Sequence, residues 1–366
     1  MLSQSALKVT PLHDEHLRLG ARLVPFAGWE MPLHYEGILA EYDSCRKNTA
    51  IFDTSHMGEY LLEGDPEKCG FDQIVTVRLK DMALKTCRYG LMLNPKGGVI
   101  DDLIVYRIAP DKWMTVVNAG QIEKKAEHFL QHLGKEARFS DVSLQTGKLD
   151  IQGPQSREIL SSLVDGIEKL DYYTFDYFQV LGERGIVSRT GYTGELGYEI
   201  YFPWEKIVEL WREILKNNHV KPAGLGVRDV LRIEMGYSLY GHELDESISP
   251  LEAGLSKFVD LEKEFIGKDA ILQERKTGVK RKMIYFASGS RRSPRAHHKI
   301  FTADEKEIGE VTSGTFSPSL LKGIGIGLIK SMPMERGERI FVGELQNSIE
   351  AQITSRPFYK NGSIKN

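Results

Sequence analysis

Two short segments of this 366-residue chain combine residue types that could bind and transform a small molecule. The first, residues 191–199, reads Gly-Tyr-Thr-Gly-Glu-Leu-Gly-Tyr-Glu and lies between segments typical of strands. Glycines at this density let the backbone approach a ligand closely, and tyrosine rings offer flat stacking surfaces. A buried Glu199 could accept two parallel hydrogen bonds from the edge of a flat heterocycle such as a pterin. A glycine-rich hairpin turn with solvent-facing glutamates has the same composition, so both interpretations stay open.

The second segment is the pair Asp101 and Asp102, which lies inside a predicted strand at 99–106. Alternation along a strand places Asp101 on one face and Asp102 on the other, and both faces are otherwise apolar. A carboxylate in such a position is costly unless it is paired or used. At least one of the two is therefore expected to face a pocket, whereas a sheet edge that leaves both solvated is the alternative.

Arg228 and Asp229 open a predicted helix that begins near residue 227 and ends near Gly236. An arginine at this position could pair with Glu199 or with an anionic ligand. An ordinary ion pair at the start of the helix is the alternative, and the sequence does not choose between them.

The hydrophobic pattern predicts a mixed α+β body followed by an all-β domain. Further helices are expected at 38–47, 121–133 and 204–216, with strands near 59–62 and at 113–117. After residue 280 the helical pattern ends, and short apolar segments alternate with Gly, Pro and Ser turns, which is typical of a small β-barrel or sandwich. The charged stretch 262–282 is the expected boundary. The C-terminal strands are predicted at 283–287, 308–313, 325–329, 340–342 and 349–354.

Composition excludes several classes of function. A net charge of −3 gives no electrostatic case for nucleic acid or an anionic membrane surface. The longest apolar runs fall short of the roughly 18 residues that cross a bilayer, and residues 1–8 lack the apolar core of a secretory signal. Three widely spaced cysteines, Cys45, Cys69 and Cys87, indicate reduced thiols in a cytoplasmic protein rather than a structural zinc site.

Three patterns that imitate cofactor motifs lack the context those motifs need. The glycines at 323, 325 and 327 are not followed by a helix of useful length, so a strand is favoured over a dinucleotide loop. Gly267-Lys268 precedes Asp269 rather than Ser or Thr, which excludes a phosphate-binding loop of the Walker type. His128 and His132 have helical spacing but no third ligand, so no metal site is expected.

A series of segments between about residue 8 and residue 360 resembles, in order, the glycine cleavage system T-protein family, the aminomethyltransferases. These segments are long and rich in Gly, Trp, His and Pro, so agreement by chance is implausible. They are Leu-His-Asp-Glu-His (12–16), Val-Pro-Phe-Ala-Gly-Trp-Glu-Met-Pro (24–32), Phe-Asp-Thr-Ser-His-Met-Gly (52–58), Gly-Gly-Val-Ile-Asp-Asp-Leu (97–103), Val-Asn-Ala-Gly (117–120), 191–199, Gly-Val-Arg-Asp-Val-Leu-Arg-Ile-Glu (226–234), Val-Thr-Ser-Gly (311–314) and Ser-Pro-Ser-Leu (317–320).

The resemblance implies a three-domain ring around a central folate-binding hole. The first domain would comprise residues 1–50 and 140–245 and bind folate. The second would comprise residues 51–139 and 246–279 and carry the catalytic aspartate. The third, residues 280–366, would be the C-terminal β-barrel.

The resemblance also implies the reaction. The family transfers the methylene carbon of an aminomethyl group, held on the lipoyl arm of H protein, to tetrahydrofolate. Ammonia is released, and the products are 5,10-methylenetetrahydrofolate and dihydrolipoyl H protein. Tetrahydrofolate is thus the expected co-substrate, without metal or nicotinamide, and the P and L proteins are the expected further members of the system.

Site residues follow from the same resemblance. It assigns the catalytic role to Asp101, a choice between the two aspartates that the residues alone leave open. Glu199 is expected to bind the amino and ring N–H edge of the pterin. The pocket is expected to be lined by Met57, Tyr89, Asn118, Tyr192 and Arg228.

Two other functions of the same superfamily are the alternatives. One is a folate-dependent methyltransferase or demethylase, but such relatives often replace the aspartate at position 101. The other is a non-catalytic folate-binding regulatory protein, whose Lys-Gly-Cys-Tyr type of segment is absent here. For the H protein, the basic segment 291–295, with Arg291, Arg292 and Arg295, is a candidate docking surface, and a solvated loop is the competing interpretation.

Overall fold

A computed structural model describes residues 6–365, and their framework consists of four β-sheets with eight α-helices packed against them. The strands are β1 (Arg22–Phe26), β2 (Trp29–His34), β3 (Thr49–Asp53), β4 (Gly58–Glu63), β5 (Cys87–Leu93), β6 (Val99–Ala109), β7 (Lys112–Val117), β8 (Arg138–Asp141), β9 (Thr146–Gln152), β10 (Phe175–Val180), β11 (Glu183–Ser188), β12 (Gly197–Pro203), β13 (Val220–Pro222), β14 (Arg281–Ser288), β15 (Lys299–Phe301), β16 (Glu307–Ser317), β17 (Lys322–Lys330), β18 (Arg339–Val342) and β19 (Ile349–Thr354). The helices are α1 (His13–Arg18), α2 (Ile38–Lys47), α3 (Phe71–Ile74), α4 (Ile122–His132), α5 (Ser156–Ser161), α6 (Ile207–Ile214), α7 (Leu225–Met235) and α8 (Lys268–Thr277).

A six-stranded sheet in the order β10-β11-β12-β9-β3-β13 has one apolar and one polar face. Alternation along β12 sends Tyr198, Ile200 and Phe202 into a core that also contains Trp211 of α6. The intervening Glu199 points to the opposite face. That polar face is the one available for a site.

A five-stranded sheet in the order β5-β6-β7-β4-β8 is covered by α4 on one face. Leu103 and Val105 of β6 pack on that side with Phe129 of the helix. Tyr106 points the other way and meets Tyr201 of β12, with 2.9 Å between the two hydroxyl oxygens. The second face of this sheet therefore lies against the polar face of the six-stranded sheet.

The C-terminal strands close into a barrel in the order β14-β17-β16-β15-β18-β19. Isoleucines and valines alternate along the strands and fill its interior. Helix α7 connects the barrel to the six-stranded sheet, because Val227 and Leu231 pack against α2 and β3 while Arg232 donates to Ser313 Oγ at 2.6 Å. The helix that holds Arg228 is thereby fixed from both sides.

The predicted α+β body with a C-terminal β-barrel is confirmed, and closure of the barrel decides against a sandwich. All five predicted C-terminal strands are present. Two elements were not predicted: the short strand β15, and helix α8, which lies inside the expected boundary 262–282. The domain division and the ring arrangement stay predictions. In the structure, β3 (Thr49–Asp53) runs across the predicted boundary at residue 50 and pairs wholly within the six-stranded sheet.

Within residues 6–365, no helix is both long and apolar enough to span a bilayer. The sequence predicts that residues 1–8 are not a secretory signal. Residues 1–5 of that segment lie outside the described part of the chain.

Candidate functional site

Asp101 and Asp102 lie on opposite faces of β6, as alternation predicts, and β6 is an inner strand between β5 and β7. Asp101 is fully buried on the face covered by α4, whereas Asp102 is half-buried on the face toward the six-stranded sheet. The alternative of a solvated sheet edge is therefore wrong. Each carboxylate instead accepts hydrogen bonds from protein donors, and the Asn118 amide donates to both.

Three donors surround the Asp101 carboxylate. The backbone N–H of Asn118 donates to Oδ2 at 3.0 Å, the Asn118 side-chain amide donates to Oδ1 at 2.8 Å, and Lys125 Nζ lies 2.7 Å from Oδ2. Burial raises the pKa of Asp101 to about 7, although Lys125 opposes the rise and the neighbouring Asp102 adds to it. This carboxylate is therefore directed into the protein, toward α4.

Asp102 shares its face with Tyr89, because β5 pairs Tyr89 with Ile104, the next residue on that face of β6. The Tyr89 hydroxyl donates to Asp102 Oδ2 at 3.0 Å, and the Asn118 amide donates to Oδ1 at 2.7 Å. Burial raises the pKa of Asp102, and the bonds from Tyr89 and Asn118 limit the rise. Of the two aspartates, Asp102 is the one that faces the space between the sheets.

A second charged group occupies the polar face of the six-stranded sheet, where β12 and β9 pair Glu199 with Asp150. Lys148 Nζ lies 2.6 Å from Asp150 Oδ1 and 3.1 Å from Glu199 Oε1, and all three side chains are buried. Burial disfavours the charge of Lys148, but the two carboxylates outweigh it and raise the pKa of the ammonium. Glu199 also accepts from Thr190 Oγ1 at 2.7 Å. Since Glu199 lies in a strand and is buried, the alternative of a solvent-facing turn glutamate is wrong.

Arg228 pairs with Asp150, at 2.8 Å between Nη1 and Oδ2, rather than with Glu199. Burial alone would raise the pKa of Asp150, but Lys148 and Arg228 outweigh burial and hold it below its usual range. The charges of these four side chains balance, two cations against two carboxylates. The ordinary ion pair expected at the start of the helix is not formed by Arg228 and Asp229, because Asp229 pairs with Arg232 at 2.8 Å.

Tyr192 lies in the loop 191–196 and contacts α7 and the segment that follows it. Its ring stacks on Tyr237, with 5.6 Å between centroids, and the Arg228 guanidinium lies 5.1 Å from its centroid. Its hydroxyl donates to the Ser238 carbonyl. Burial raises the pKa of Tyr192, and the negative charge of Asp102 adds to the rise.

The predicted site residues thus fall into two groups, one around β6 and one around β12, and Asp101 of the first group lies on the side of β6 that faces away from the second. One group comprises Asp101, Asp102, Tyr89 and Asn118, and the other comprises Glu199, Arg228 and Tyr192. Met57 precedes β4 and packs against the residues that join the sheets, among them Tyr106 and Tyr201. The roles predicted for these residues stay predictions.

Several charged residues at the site escaped prediction. Lys148 and Asp150 alternate with the apolar Leu149 and Ile151, which is a detectable signal of a strand with one polar, buried face. Lys125 lies three residues after Ile122 and four before Phe129, on the apolar stripe of α4, which is unusual for a lysine.

Glu59 also escaped prediction, although it lies next to the segment 52–58. It is fully buried on β4 opposite Val116, and neither of its carboxyl oxygens has a hydrogen-bond partner among the described residues. Burial raises the pKa of Glu59 well above its ordinary value. Because Val116 pairs in turn with Ile104, the Glu59 side chain points to the same face as Asp102.

Comparison with known proteins identifies the family to which this chain belongs. The family model described as GCVT N-terminal domain matches residues 12–263, and the one described as glycine cleavage T-protein C-terminal barrel domain matches residues 281–360. The chain belongs to the glycine cleavage T-protein family. The predicted family resemblance is therefore confirmed.

Full-length relatives agree with this assignment. The chain is 41% identical over 363 residues to an aminomethyltransferase of Pseudothermotoga lettingae and 42% identical over 368 residues to one of Caldanaerobacter subterraneus. The first match covers 98% of this chain and 99% of the relative, and the second covers 98% of both. The crystal structure of the glycine cleavage system aminomethyltransferase T from Bartonella henselae superposes with a TM-score of 0.91 at 30% identity, over 98% of this chain and 99% of that one. The Bartonella henselae protein and the present chain share one fold over nearly their whole lengths.

Proposed function

We propose that this T-protein family member transfers the methylene carbon of the aminomethyl-lipoyl group on H protein to tetrahydrofolate. The reaction releases ammonia and leaves 5,10-methylenetetrahydrofolate and dihydrolipoyl H protein. The observation that carries the proposal is the Asp102 carboxylate, held by Tyr89 and Asn118 on the face opposite the Glu199 and Arg228 group. Relatives at 41% and 42% identity that are named aminomethyltransferases support it.

The residues between the sheets fit a folate. Tyr192 supplies an aromatic surface, and Glu199 supplies carboxylate acceptors for the amino and ring N–H donors of a pterin. The carboxyl oxygens of Glu59 have no partner among residues 6–365, so a ligand donor or acceptor could satisfy them. When bound, tetrahydrofolate supplies the nitrogen nucleophile that accepts the carbon.

The orientation of Asp102 toward the space between the sheets supports a role in the transfer. Positive charge develops on the carbon as ammonia leaves, and a fixed carboxylate in a site of low dielectric stabilises that charge without having to reorganise. Removal of one such preorganised group typically raises a barrier by about 3–4 kcal/mol. Tyr89 and Asn118 fix the carboxylate in position, and the Tyr89 hydroxyl keeps an oxygen of Asp102 from turning away.

The catalytic role that the sequence assigns to Asp101 stays a prediction, and the geometry favours Asp102 over it. The Asp101 carboxylate points toward α4, where Lys125 and Asn118 already occupy it. A carboxylate on the face that α4 covers does not directly contact a ligand on the other face of the sheet. We therefore place Asp102 at the reaction centre and Asp101 behind it.

The partners follow from the reaction. The lipoylated H protein presents the substrate carbon, and the P and L proteins complete the system, in the cytoplasm. Of the three arginines in the candidate docking segment, Arg292 donates to the carbonyls of Asn347 at 2.8 Å and Ser348 at 3.2 Å, so it ties two loops of the barrel together. Arg291 and Arg295 are exposed and remain the basic side chains that could meet a partner.

Incubation of the protein with aminomethyl-loaded H protein and tetrahydrofolate tests the proposal. Ammonia and 5,10-methylenetetrahydrofolate should appear in equal amounts, and neither should form at a comparable rate without tetrahydrofolate. Reactions with N-methylated glycines distinguish the demethylase alternative. Folate binding without turnover of either donor would favour the regulatory alternative and would refute the proposed transfer.

A further inference from the structure

Lys125 has a position that stability alone does not explain. It lies on the buried stripe of α4 with 3% of its side chain exposed, and its ammonium is within 2.7 Å of Asp101 Oδ2. The same ammonium donates to the backbone carbonyl of Asn118 at 2.8 Å and lies 5.4 Å from the ring centroid of Tyr240. A buried ion pair is often no more stabilising than well-packed apolar residues of the same volume. Stability therefore does not by itself explain why Lys125 and Asp101 are paired here.

The contacts around Asn118 supply that reason. Its carbonyl accepts from Lys125, and its own N–H donates to Asp101 at 3.0 Å, so both sides of this backbone segment are tied to the ion pair. Its side-chain amide lies 2.8 Å from Asp101 Oδ1 and 2.7 Å from Asp102 Oδ1. Asn118 thus connects the ion pair behind the strand with the carboxylate in front of it.

We propose that Lys125 is a positioning residue, which through Asp101 and Asn118 fixes the carboxylate of Asp102 for the transfer reaction. The inference rests on the proposed function. Lys125 itself lies on the far side of β6 and reaches the site only through these two residues. Loss of its charge leaves Asp101 unpaired and removes one of the bonds that hold the Asn118 backbone.

The charges of Arg228, Arg232 and Glu243 act on Tyr192, and those of Asp245 and Glu246 act on Tyr240. The tyrosines around the aspartate pair are Tyr89 of β5, Tyr60 of β4, Tyr192 of the loop 191–196 and Tyr240 of the segment after α7, and burial raises the pKa of each of them. All four are therefore neutral over the pH range of an enzyme assay. Lys125 is the cation that acts on both aspartates.

The test compares Lys125→Met with Lys124→Met, a matched control one residue earlier on the same helix. Lys124 is exposed and pairs with Glu246 at the surface, so its loss should change nothing. Lys125→Met should lower kcat at neutral pH about tenfold or more, with the KM for tetrahydrofolate within about threefold, because the lost interaction orients a group that acts in the transition state. The acidic limb of its kcat–pH profile should move to higher pH, because the ammonium lowers the pKa of both Asp101 and Asp102 and its loss lets both rise.

A double variant separates positioning from stability. Asp101→Asn in the Lys125→Met background removes the buried carboxyl group that has lost its cation, so the melting temperature should recover in part above neutral pH, whereas kcat should stay low. Recovery of kcat together with the melting temperature would overturn the proposal. So would a Lys125→Met enzyme with the wild-type kcat and acidic limb. Lys125→Gln, which keeps a donor without the charge, serves if Lys125→Met does not fold and should shift the acidic limb in the same direction.

A measurement without turnover distinguishes failure of this inference from failure of the proposed function. Carbon-13 NMR of labelled aspartate follows the titration of the Asp102 carboxyl in the free protein. Its midpoint should differ between wild type and Lys125→Met and should be the same in wild type and Lys124→Met. An unchanged Asp102 titration in Lys125→Met overturns the inference. Absence of transfer by the wild-type protein refutes the proposed function instead.

Discussion

Replacement of Asp102 by asparagine tests most directly which carboxylate of the pair serves the reaction. Asparagine has nearly the same size, and its oxygen can still accept from the Asn118 amide, which lies 2.7 Å from Oδ1 in the wild type. Its NH2 group can donate to the Tyr89 hydroxyl oxygen, which lies 3.0 Å from Oδ2. The fold should therefore be kept, with a change in stability below about 1 kcal/mol, and the main loss is one negative charge.

The expected size of the effect follows from the role of that charge. A preorganised group that stabilises developing charge contributes about 3–4 kcal/mol to the lowering of the barrier. Since about 1.4 kcal/mol corresponds to a factor of ten in rate, kcat should fall about 100- to 1000-fold. The dissociation constant for tetrahydrofolate should change much less, because the charge acts mainly in the transition state.

Asp101→Asn is the matched variant, and its contacts predict a different outcome. The Asp101 carboxylate receives two donors from Asn118 and one from Lys125, so an amide NH2 at this position meets donors only. The variant also leaves the buried ammonium of Lys125 without its partner, a change that typically costs about 3–5 kcal/mol of stability. Asp101→Asn should therefore lower the melting temperature clearly and reduce kcat by about tenfold through Asn118.

Steady-state rates with loaded H protein, calorimetric titration of tetrahydrofolate and thermal melting together distinguish the two variants. Normal turnover by Asp102→Asn, combined with a loss of most of kcat by a stable Asp101→Asn enzyme, would refute our reasoning. That result would return the catalytic role to Asp101, as the sequence assigns it. Normal turnover by both variants would remove the role from the pair altogether.

Three further predictions concern binding, pH and docking. Glu199→Ala should weaken tetrahydrofolate binding by about 2–4 kcal/mol because it leaves the ligand donors unpaired, while Lys148 keeps Asp150 as its partner. An unchanged dissociation constant in calorimetry would show that Glu199 does not contact the ligand. The folded protein keeps Glu59 protonated while the unfolded chain releases that proton above about pH 4.3, so wild-type stability should fall by up to about 1.4 kcal/mol per pH unit from this group as the pH rises. Glu59→Gln should have the melting temperature of wild type near pH 4 and a higher melting temperature than wild type at pH 8. The same difference in melting temperature at both pH values would contradict this. Reversal of the charges of Arg291 and Arg295 should raise the KM for loaded H protein about tenfold at low salt, but not the KM for free aminomethyl-dihydrolipoamide, and equal losses with both donors would argue against docking.

The sequence predicts the elements of this protein better than the way they face one another. The helix at 38–47 and the strands at 99–106 and 113–117 match α2, β6 and β7 closely, because their periodicity is local and strong. β13 and β15 escaped because three residues are too few for a pattern. The strands β9 and β12 pair across more than 40 residues, and no local signal records that pairing.

The choice between Asp101 and Asp102 shows where prediction from the sequence ends. Alternation states that they point to opposite faces, but both faces of β6 are apolar, so the pattern does not say which face meets a helix and which meets another sheet. That information lies in the packing of α4 and in the contact between Tyr106 and Tyr201. A lysine on the apolar stripe of α4 is the one local sign that Asp101 has a partner on that side.

The distribution of charge between the two groups explains why the carboxylate on β6 suits the reaction better than those on the facing sheet. Lys148 and Arg228 neutralise Asp150 and Glu199, so that group can hold the donors of a flat ligand without a net field at the reacting carbon. On β6 a single cation, Lys125, faces two carboxylates and pairs with the one that is turned away from the site. The negative charge that remains uncompensated is therefore that of Asp102, on the face where a positively charged carbon would develop.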